Sequence, residues 1–282
     1  LAAAQGHAIA QRYLYVCHSS GYHGLPVDKK EAIRWLRLSA DQGYAAAQYS
    51  LANNFSKGKC GLAKDAEEAV RLFKLAAKQG FADAEYSLGQ AYSKGEGGLE
   101  KNDSRADKYF ERAAAQGNTS AQFSLANAYS KNTEGIKKKQ LSDEDRECAS
   151  YDWYEAAAEL GHVKSMMKMG HYYLKISKQA TRTVVWSSHK GVSDDEETPK
   201  MTRGDYSRQA MAYFLRAALN GSAEGQYCYA MGSPHPDEKV RWLTEAAAQD
   251  YADAFFQLGN CHQHGVGVPV NKEEAIKWYQ KK

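Results

Sequence analysis

Apolar and small side chains recur along this chain at helical spacing, in two alternating registers. The first is carried by AAAQYSLANNFSKG (45–58), ADAEYSLGQAYSKG (82–95) and TSAQFSLANAYSKN (119–132), where Ala47, Leu51 and Phe55 fall on one helix face. The second is carried by DAEEAVRLFKLAAKQ (65–79) and its copies. An aromatic residue or Leu stands eight positions before the end of each such segment, as at Trp35, Leu72, Tyr109, Trp153, Tyr213 and Trp242. Small residues stand four and three before that end, as at Ala76–Ala77 and Ala113–Ala114. Bulky and small positions alternate, so a ring on one helix is expected to fill an Ala notch on its neighbour.

The two registers form a tandem repeat. Variants of A-x-Q-G close at Gly6, Gly43, Gly80, Gly117, Gly161 and Gly221, and AAAQD closes at Asp250. The steps are 37, 37, 37, 44, 60 and 29 residues. Three equal steps define the unit; the longer ones predict insertions near 131–147 and 175–206. Helix ends are marked as well. Asp28, Asp65, Asn102 and Asn271 share one slot suited to N-caps, and Glu31, Glu68 and Glu274 are placed for capping boxes. The closing Gly suits a left-handed C-cap, and loops such as GEGGLE (95–100) and GVGVPV (265–270) join the helices.

A single helix pair cannot bury its apolar stripe, whereas stacked pairs can. The pattern therefore predicts an all-α protein: a right-handed α/α superhelical solenoid of helix-turn-helix repeats. One solenoid is expected over 1–282, with about six helix pairs and a half-repeat at each end. Nothing reads as a strand, so neither a doubly wound sheet nor a barrel fits.

The units ADAEYSLGQAYSKGEGG (82–98) with ADKYFERAAAQG (106–117), and ADAFFQLGNCHQHGVGV (252–268) with AIKWYQ (275–280), resemble the Sel-one-like repeat, a relative of the tetratricopeptide repeat. The resemblance covers nearly the whole chain. It implies an α/α superhelix that acts as an adaptor in multiprotein assemblies. One bacterial branch pairs two cysteines in each repeat and is credited with penicillin-binding activity; Cys17, Cys60, Cys148, Cys228 and Cys261 do not follow that spacing.

Composition adds exclusions. Net charge is +3, with 37 basic and 34 acidic side chains interleaved, so nucleic acid is not an expected partner. No apolar run approaches the ~18 residues of a membrane span. An odd, irregular set of cysteines predicts free thiols. It favours an intracellular or organellar setting, the endoplasmic reticulum lumen included, over a disulfide-rich secreted one. Sequons at Asn54, Asn102, Asn118 and Asn220 are compatible with a lumen. The opening LAAAQG lacks a starting Met or leader, and Lys282 falls within a helical pattern, as expected of a piece of a longer protein.

No phosphate-binding loop, dinucleotide fingerprint or nucleophile elbow is present, so no enzyme activity and no cofactor are expected. Cys261–His262–Gln263–His264 is the one metal-like cluster, and it lacks the further ligands that zinc needs.

Binding residues are sought on the first helices, which line the inner face of related solenoids. Asn53, Gln90 and Asn127 occupy one slot at 37-residue intervals, and Lys57, Lys94 and Lys131 follow four positions later on the same helix face. Amides could hold an extended backbone, and lysines could attract acidic groups. An aromatic slot lies four before the amide, at Tyr49, Tyr86 and Phe123. The same residues also admit a plainer account: lysines complementing helix C-termini, solvated amides and core rings. A second candidate is Trp186, in the longer insertion with the acidic run Asp194 to Glu197. The shorter insertion, around Lys137–Lys139 and Asp143–Asp145, reads as a solvated linker. The expected function is a non-catalytic scaffold or adaptor with protein or peptide partners. A peptide receptor using the amide–Lys groove is the alternative, and a β-lactam-binding hydrolase is a remote one.

Overall fold

The computed structural model describes residues 2–137, 139–179 and 201–281. Among them the secondary structure is helical throughout, with no strand. The helices group into two units, Leu1–Ser150 and Tyr151–Lys282. The first holds α1 (Ala8–Ser20), α2 (Lys29–Asp41), α3 (Ala45–Lys57), α4 (Ala66–Lys78), α5 (Ala82–Lys94), α6 (Asp103–Ala115), α7 (Thr119–Lys131) and α8 (Glu134–Lys137). The division falls within α9 (Asp143–Glu159). The second holds α10 (Val163–Gln179), α11 (Arg203–Leu219), α12 (Ala223–Gly232), α13 (Pro236–Ala247), α14 (Ala252–His264) and α15 (Lys272–Gln280). Each unit is a stack of helix-turn-helix pairs, the α/α solenoid arrangement.

The helix ends follow local chemistry. Asp28, Asp65, Asn102 and Asn271 each accept a backbone N–H from the first turn that follows. The expected capping boxes do not form there. Glu31, Glu68 and Glu274 turn instead to Arg34, Arg71 and Lys277 one turn on, at 3.1, 2.7 and 2.9 Å. A full charge at i+3 outcompetes a neutral backbone donor. A reciprocal box forms at Thr202 and Asp205. The sequon side chains are also occupied: Asn54 is buried against Tyr15, Asn102 and Asn118 are N-caps, and Asn220 closes α11. None of the five cysteines, all among the described residues, forms a disulfide.

Small residues set the approach of the helices. Ala76, Ala113 and Ala217 are fully buried. The tightest seats, however, are glycines on the first helices. A Cβ on Gly89 would overlap the ring of Phe110, and one on Gly170 that of Phe214. Slot aromatics lie against the first helices: Tyr109 stacks on Tyr92 and Tyr213 on Tyr173, each at 5.7 Å between centroids. Gly97 takes φ 62 and presses its loop onto the Ala66 carbonyl, where any side chain would collide.

Hydrogen bonds tie successive layers together through the Gln of the closing motif. Gln42, Gln79 and Gln116 donate to the buried side chain 31 residues earlier, in Gln11, Gln48 and Glu85, at 2.6, 2.9 and 2.7 Å. Gln11, Gln48 and Gln122 in turn donate to the carbonyls of Ala3, Ala40 and Ala114, near the ends of the preceding segments. Each of these carbonyls also accepts the N–H of the closing Gly, at Gly6, Gly43 and Gly117, so the amide is its second donor. Glu85 cannot donate; its Oε2 accepts from Gln116, and its other oxygen forms an ion pair with Arg112. In the second unit Gln249 donates to Gln226 at 2.9 Å. Met166 fills the Gln slot of α10, and Arg216 supplies the missing donor to the Ala158 carbonyl at 2.8 Å.

The segment around Lys137–Lys139 is not a plain linker. It forms α8, buries Ile136, and sends Lys139 to Glu111 at 2.7 Å.

Replacing Gln79 by Ala removes the donor to buried Gln48 and should cost about 1–2 kcal/mol. Lys74→Ala, exposed on the same helix, should stay within about 0.5 kcal/mol of wild type. Urea unfolding of the two variants compares them directly.

Candidate functional site

The amide–Lys ladder lies on the first helices of the first unit. Lys57, Lys94 and Lys131 are the last residues of α3, α5 and α7, each followed by a left-handed cap at Gly58, Gly95 or Asn132. They are exposed, one turn beyond half-buried Asn53, Gln90 and Asn127.

The fold brings these residues into two adjacent depressions. One, of 240 Å³, opens between α3, α4 and α5 and is lined by Asn53, Lys57, Tyr86 and Gln90, with Val70 and Phe73 behind. The other, of 480 Å³, opens between α5, α6 and α7 and is lined by Gln90, Lys94, Lys101, Asn127 and Lys131. Gln90 borders both.

The amides differ in what they hold. Gln90 Nε2 donates to the Tyr86 hydroxyl at 2.7 Å, and Asn127 Nδ2 to the Phe123 carbonyl of its own helix at 2.8 Å. Asn53 makes no side-chain hydrogen bond among the described residues. The aromatic slot is wall rather than free surface. Tyr49 packs on Phe73 and Phe81 at 5.8 and 5.2 Å, and Tyr86 on Phe110 at 5.8 Å.

The cations of this face are poorly compensated. Lys57, Lys101 and Lys131 make no ion pair among the described residues, and Lys94 stands 3.8 Å from Glu96. On the second helices α2 and α4, by contrast, Arg34 and Arg71 are each neutralised by a glutamate one turn before.

Asp107, which is not part of the ladder, also lines the larger depression. It is 4% exposed, in the slot that holds Ile33 and Val70 in earlier copies. Its Oδ2 accepts from the Thr133 hydroxyl at 2.5 Å, and the Gly135 backbone N–H also donates to the carboxylate. Burial pushes the carboxyl above its ordinary range, and the two donors offset this in part. Asp107 thereby fastens the start of α8. The available signal was a charge in an apolar slot, in the copy whose successor replaces the Gly-rich loop by NTEGIK (132–137).

The second unit does not continue the ladder. His171 lies 3.3 Å from Glu224, edge-on to Phe214. Asn260 accepts from the Tyr279 hydroxyl at 2.8 Å, and α12 carries Met231 in the amide slot. A 480 Å³ depression there is lined mainly by Phe255, Phe256, Trp278 and Tyr279. Trp186 lies outside the described residues. Among the described residues no cluster of three His, Cys, Asp or Glu side chains could hold a metal ion, and no helix is long and apolar enough to cross a membrane.

A family profile described as the Sel1 repeat matches residues 8–44, 45–81, 82–118, 119–162, 200–222 and 252–281. The chain is similar to the chitin synthase regulator SKT5 of Saccharomyces cerevisiae, at 29% identity over 137 residues, covering 45% of this chain and 16% of that protein. It is also similar to DAP3-binding cell death enhancer 1 of Rattus norvegicus, at 34% identity over 79 residues, covering 26% of this chain and 16% of that protein. The matches thus span about a sixth of the length of these curated relatives. Among solved structures, a Sel1 repeat protein from Oxalobacter formigenes aligns with 99% of this chain and 72% of its own, at TM-score 0.64 and 26% identity. The protective antigen c5321 of uropathogenic Escherichia coli aligns with 99% of this chain and 62% of its own, at TM-score 0.50 and 24% identity, a likeness of fold.

The raised pKa of Asp107 has a definite sign. The folded chain holds this proton more tightly than the unfolded one, whose value is about 3.9. Unfolding releases the proton within that window, so the Asp107 contribution to stability falls as pH rises through it, from about pH 4 upward. Asp107→Asn should therefore gain in urea midpoint relative to wild type as pH rises. Parallel midpoint-versus-pH curves for the two proteins would falsify this account.

Proposed function

This chain belongs to the Sel1 repeat family, and we propose that it serves as a non-catalytic scaffold or adaptor whose first unit grips a partner protein along α3, α5 and α7. Sel1 repeats are in general protein–protein interaction modules. The observation that carries the proposal is the position of the ladder. Amides and lysines that recur every 37 residues line two adjacent depressions that share Gln90. A solvated face that only complemented helix dipoles would need lysines there, but no recessed amides beside them.

The chemistry suits a polypeptide. A carboxamide both donates and accepts, as a peptide group does. Gln90 has spent one N–H on Tyr86 and keeps its Oε1 available, and Asn53 keeps both functions. Apolar floor residues such as Val70 and Phe110 exclude water beneath the amides, which strengthens hydrogen bonds made to them. The two curated relatives are named for regulating an enzyme and for binding a protein, and both names agree with work done through other proteins. The size of the depressions also favours a narrower version, a receptor for a short linear segment. A partner footprint confined to α3–α7 would distinguish it from a broad scaffold contact.

The test is charge reversal at Lys57, Lys94 and Lys131 together, all to Glu. All three side chains are exposed, so thermal unfolding should stay close to wild type. Quantitative affinity purification from the source cell should lose at least about tenfold in enrichment of the partners that wild type retains, or about 1.4 kcal/mol. Equal recovery of the same partners by the triple variant would remove this face as the binding surface.

A further inference from the structure

Resting on that adaptor reading, we infer that the smaller depression, between α3, α4 and α5, takes one uncharged apolar side chain of the partner segment, with the Asn53 and Gln90 carboxamides holding the peptide groups beside it. The two depressions are one site built twice. Asn53, Phe73 and Gln90 of the smaller have Gln90, Phe110 and Asn127 as counterparts in the larger, each 37 residues on. Two positions break the equivalence. Ala66 and Val70 of the smaller give way to Asp103 and Asp107 in the larger. Val70 and Asp107 are both buried, so one depression has an apolar floor and the other a carboxylate.

The neighbouring loops are matched to these floors. Gly97 presses its loop against Val70, where a Cβ would collide with the Val70 Cγ2. Gly135 lies as close on Asp107, and Thr133 adds a hydroxyl donor where the smaller depression carries Glu96. Charge points the same way. The rim of the smaller depression carries one cation, Lys57, and one carboxylate, Glu96, and its floor carries neither, so an uncharged occupant complements it. In the larger, an apolar side chain would strip water from Asp107. In the smaller, the same side chain covers Ala69, Val70 and Phe73 and leaves water itself. The volume of 240 Å³ lies below the about 300–1,000 Å³ of pockets that enclose whole small molecules, and suits a single side chain. Asn53 borders the depression from α3 and Gln90 from α5. The N–H and C=O that flank an inserted side chain therefore reach a rim with carboxamides to answer them.

The test uses three capped pentapeptides and the full chain: Ser-Gly-Leu-Gly-Ser, Ser-Gly-Asn-Gly-Ser, in which a polar isostere replaces the leucine, and Ser-Gly-Lys-Gly-Ser. Ligand-observed NMR titration should show the leucine peptide binding at least about tenfold more tightly than either of the others. Ser87 lines the smaller depression, and Ser124 is its counterpart in the larger. Ser87→Phe should lose the preference and Ser124→Phe should keep it. With photo-leucine in place of leucine, crosslinks to the wild-type chain should fall within 45–96, which locates the site even where Ser87→Phe does not fold. No saturable binding of the leucine peptide, or equal affinity for the three, overturns the apolar assignment. Crosslinks outside 45–96, or a folded Ser87→Phe protein that binds the leucine peptide as wild type does, overturn the placement. Should any of these occur while Lys57→Glu/Lys94→Glu/Lys131→Glu still abolishes partner capture, the occupant fails and the adaptor reading stands. If capture also survives that triple change, both fail.

Discussion

Stacking helix pairs at close range raises a problem that a single pair does not have. The last carbonyls of a second helix accept from the closing turn alone, as Ala40 and Ala114 do from the Gly43 and Gly117 N–H groups, and the next layer buries their remaining lone pairs away from water. The glutamine relay answers that constraint. A buried amide from the following first helix reaches back to the carbonyl of Ala3, Ala40 or Ala114, and where the side chain is Gln11 or Gln48 the closing Gln of the same pair holds its oxygen. At Gln48 the node joins three helices, α2, α3 and the end of α4. Where the relay residue changes, the partners change with it: Glu85 draws Arg112, and Arg216 reaches the Ala158 carbonyl where Met166 cannot. These substitutions change the chemistry of the node and still leave Glu85 and the Ala158 carbonyl each with a partner.

The relay and the close packing constrain one another. Gly89 lets the Phe110 ring lie directly on the α5 backbone, and Gly97 lets a loop rest on the Ala66 carbonyl. The irregular copy shows the same logic with other parts. Where α8 replaces the Gly-rich loop, Asp107 stands in the Val70 slot and fastens it through Thr133 and Gly135. Burial of that carboxylate makes its contribution to stability depend on pH, which an apolar residue in the slot would not.

A first helix of the regular repeats carries these demands on separate faces. On α3, Gln48 serves the relay, Leu51 the core, and Asn53 with Lys57 the open side. Because the buried faces satisfy the backbone, the open side can vary without unfolding the stack. It carries lysines in the first unit, and in the second it carries residues that engage their own neighbours, such as Asn260 with Tyr279.

How much of this was legible in the sequence follows from the range of each interaction. Helix type, repeat length and N-caps such as Asp65 and Asn102 depend on residues within a turn or two, and the periodicity displayed them directly. The amide–Lys ladder was legible as a register for the same reason. Relay pairs such as Gln79 with Gln48 were present as letters of a motif, but their bond joins residues 31 apart, and spacing along one chain does not say which polar side chains meet. Glu31 and Glu68 stand where a capping box would form, but Arg34 and Arg71 one turn on are stronger partners than a backbone N–H, and the capping motif alone does not express that competition. The role of Asp107 is not legible from its slot, because a carboxylate in an apolar position acquires its meaning from α8 folding above it. The sequence by itself determined the repeat and the helices. The tertiary structure alone decided which polar groups are buried together and where cavities open, because burial and pairing are properties of neighbours in space.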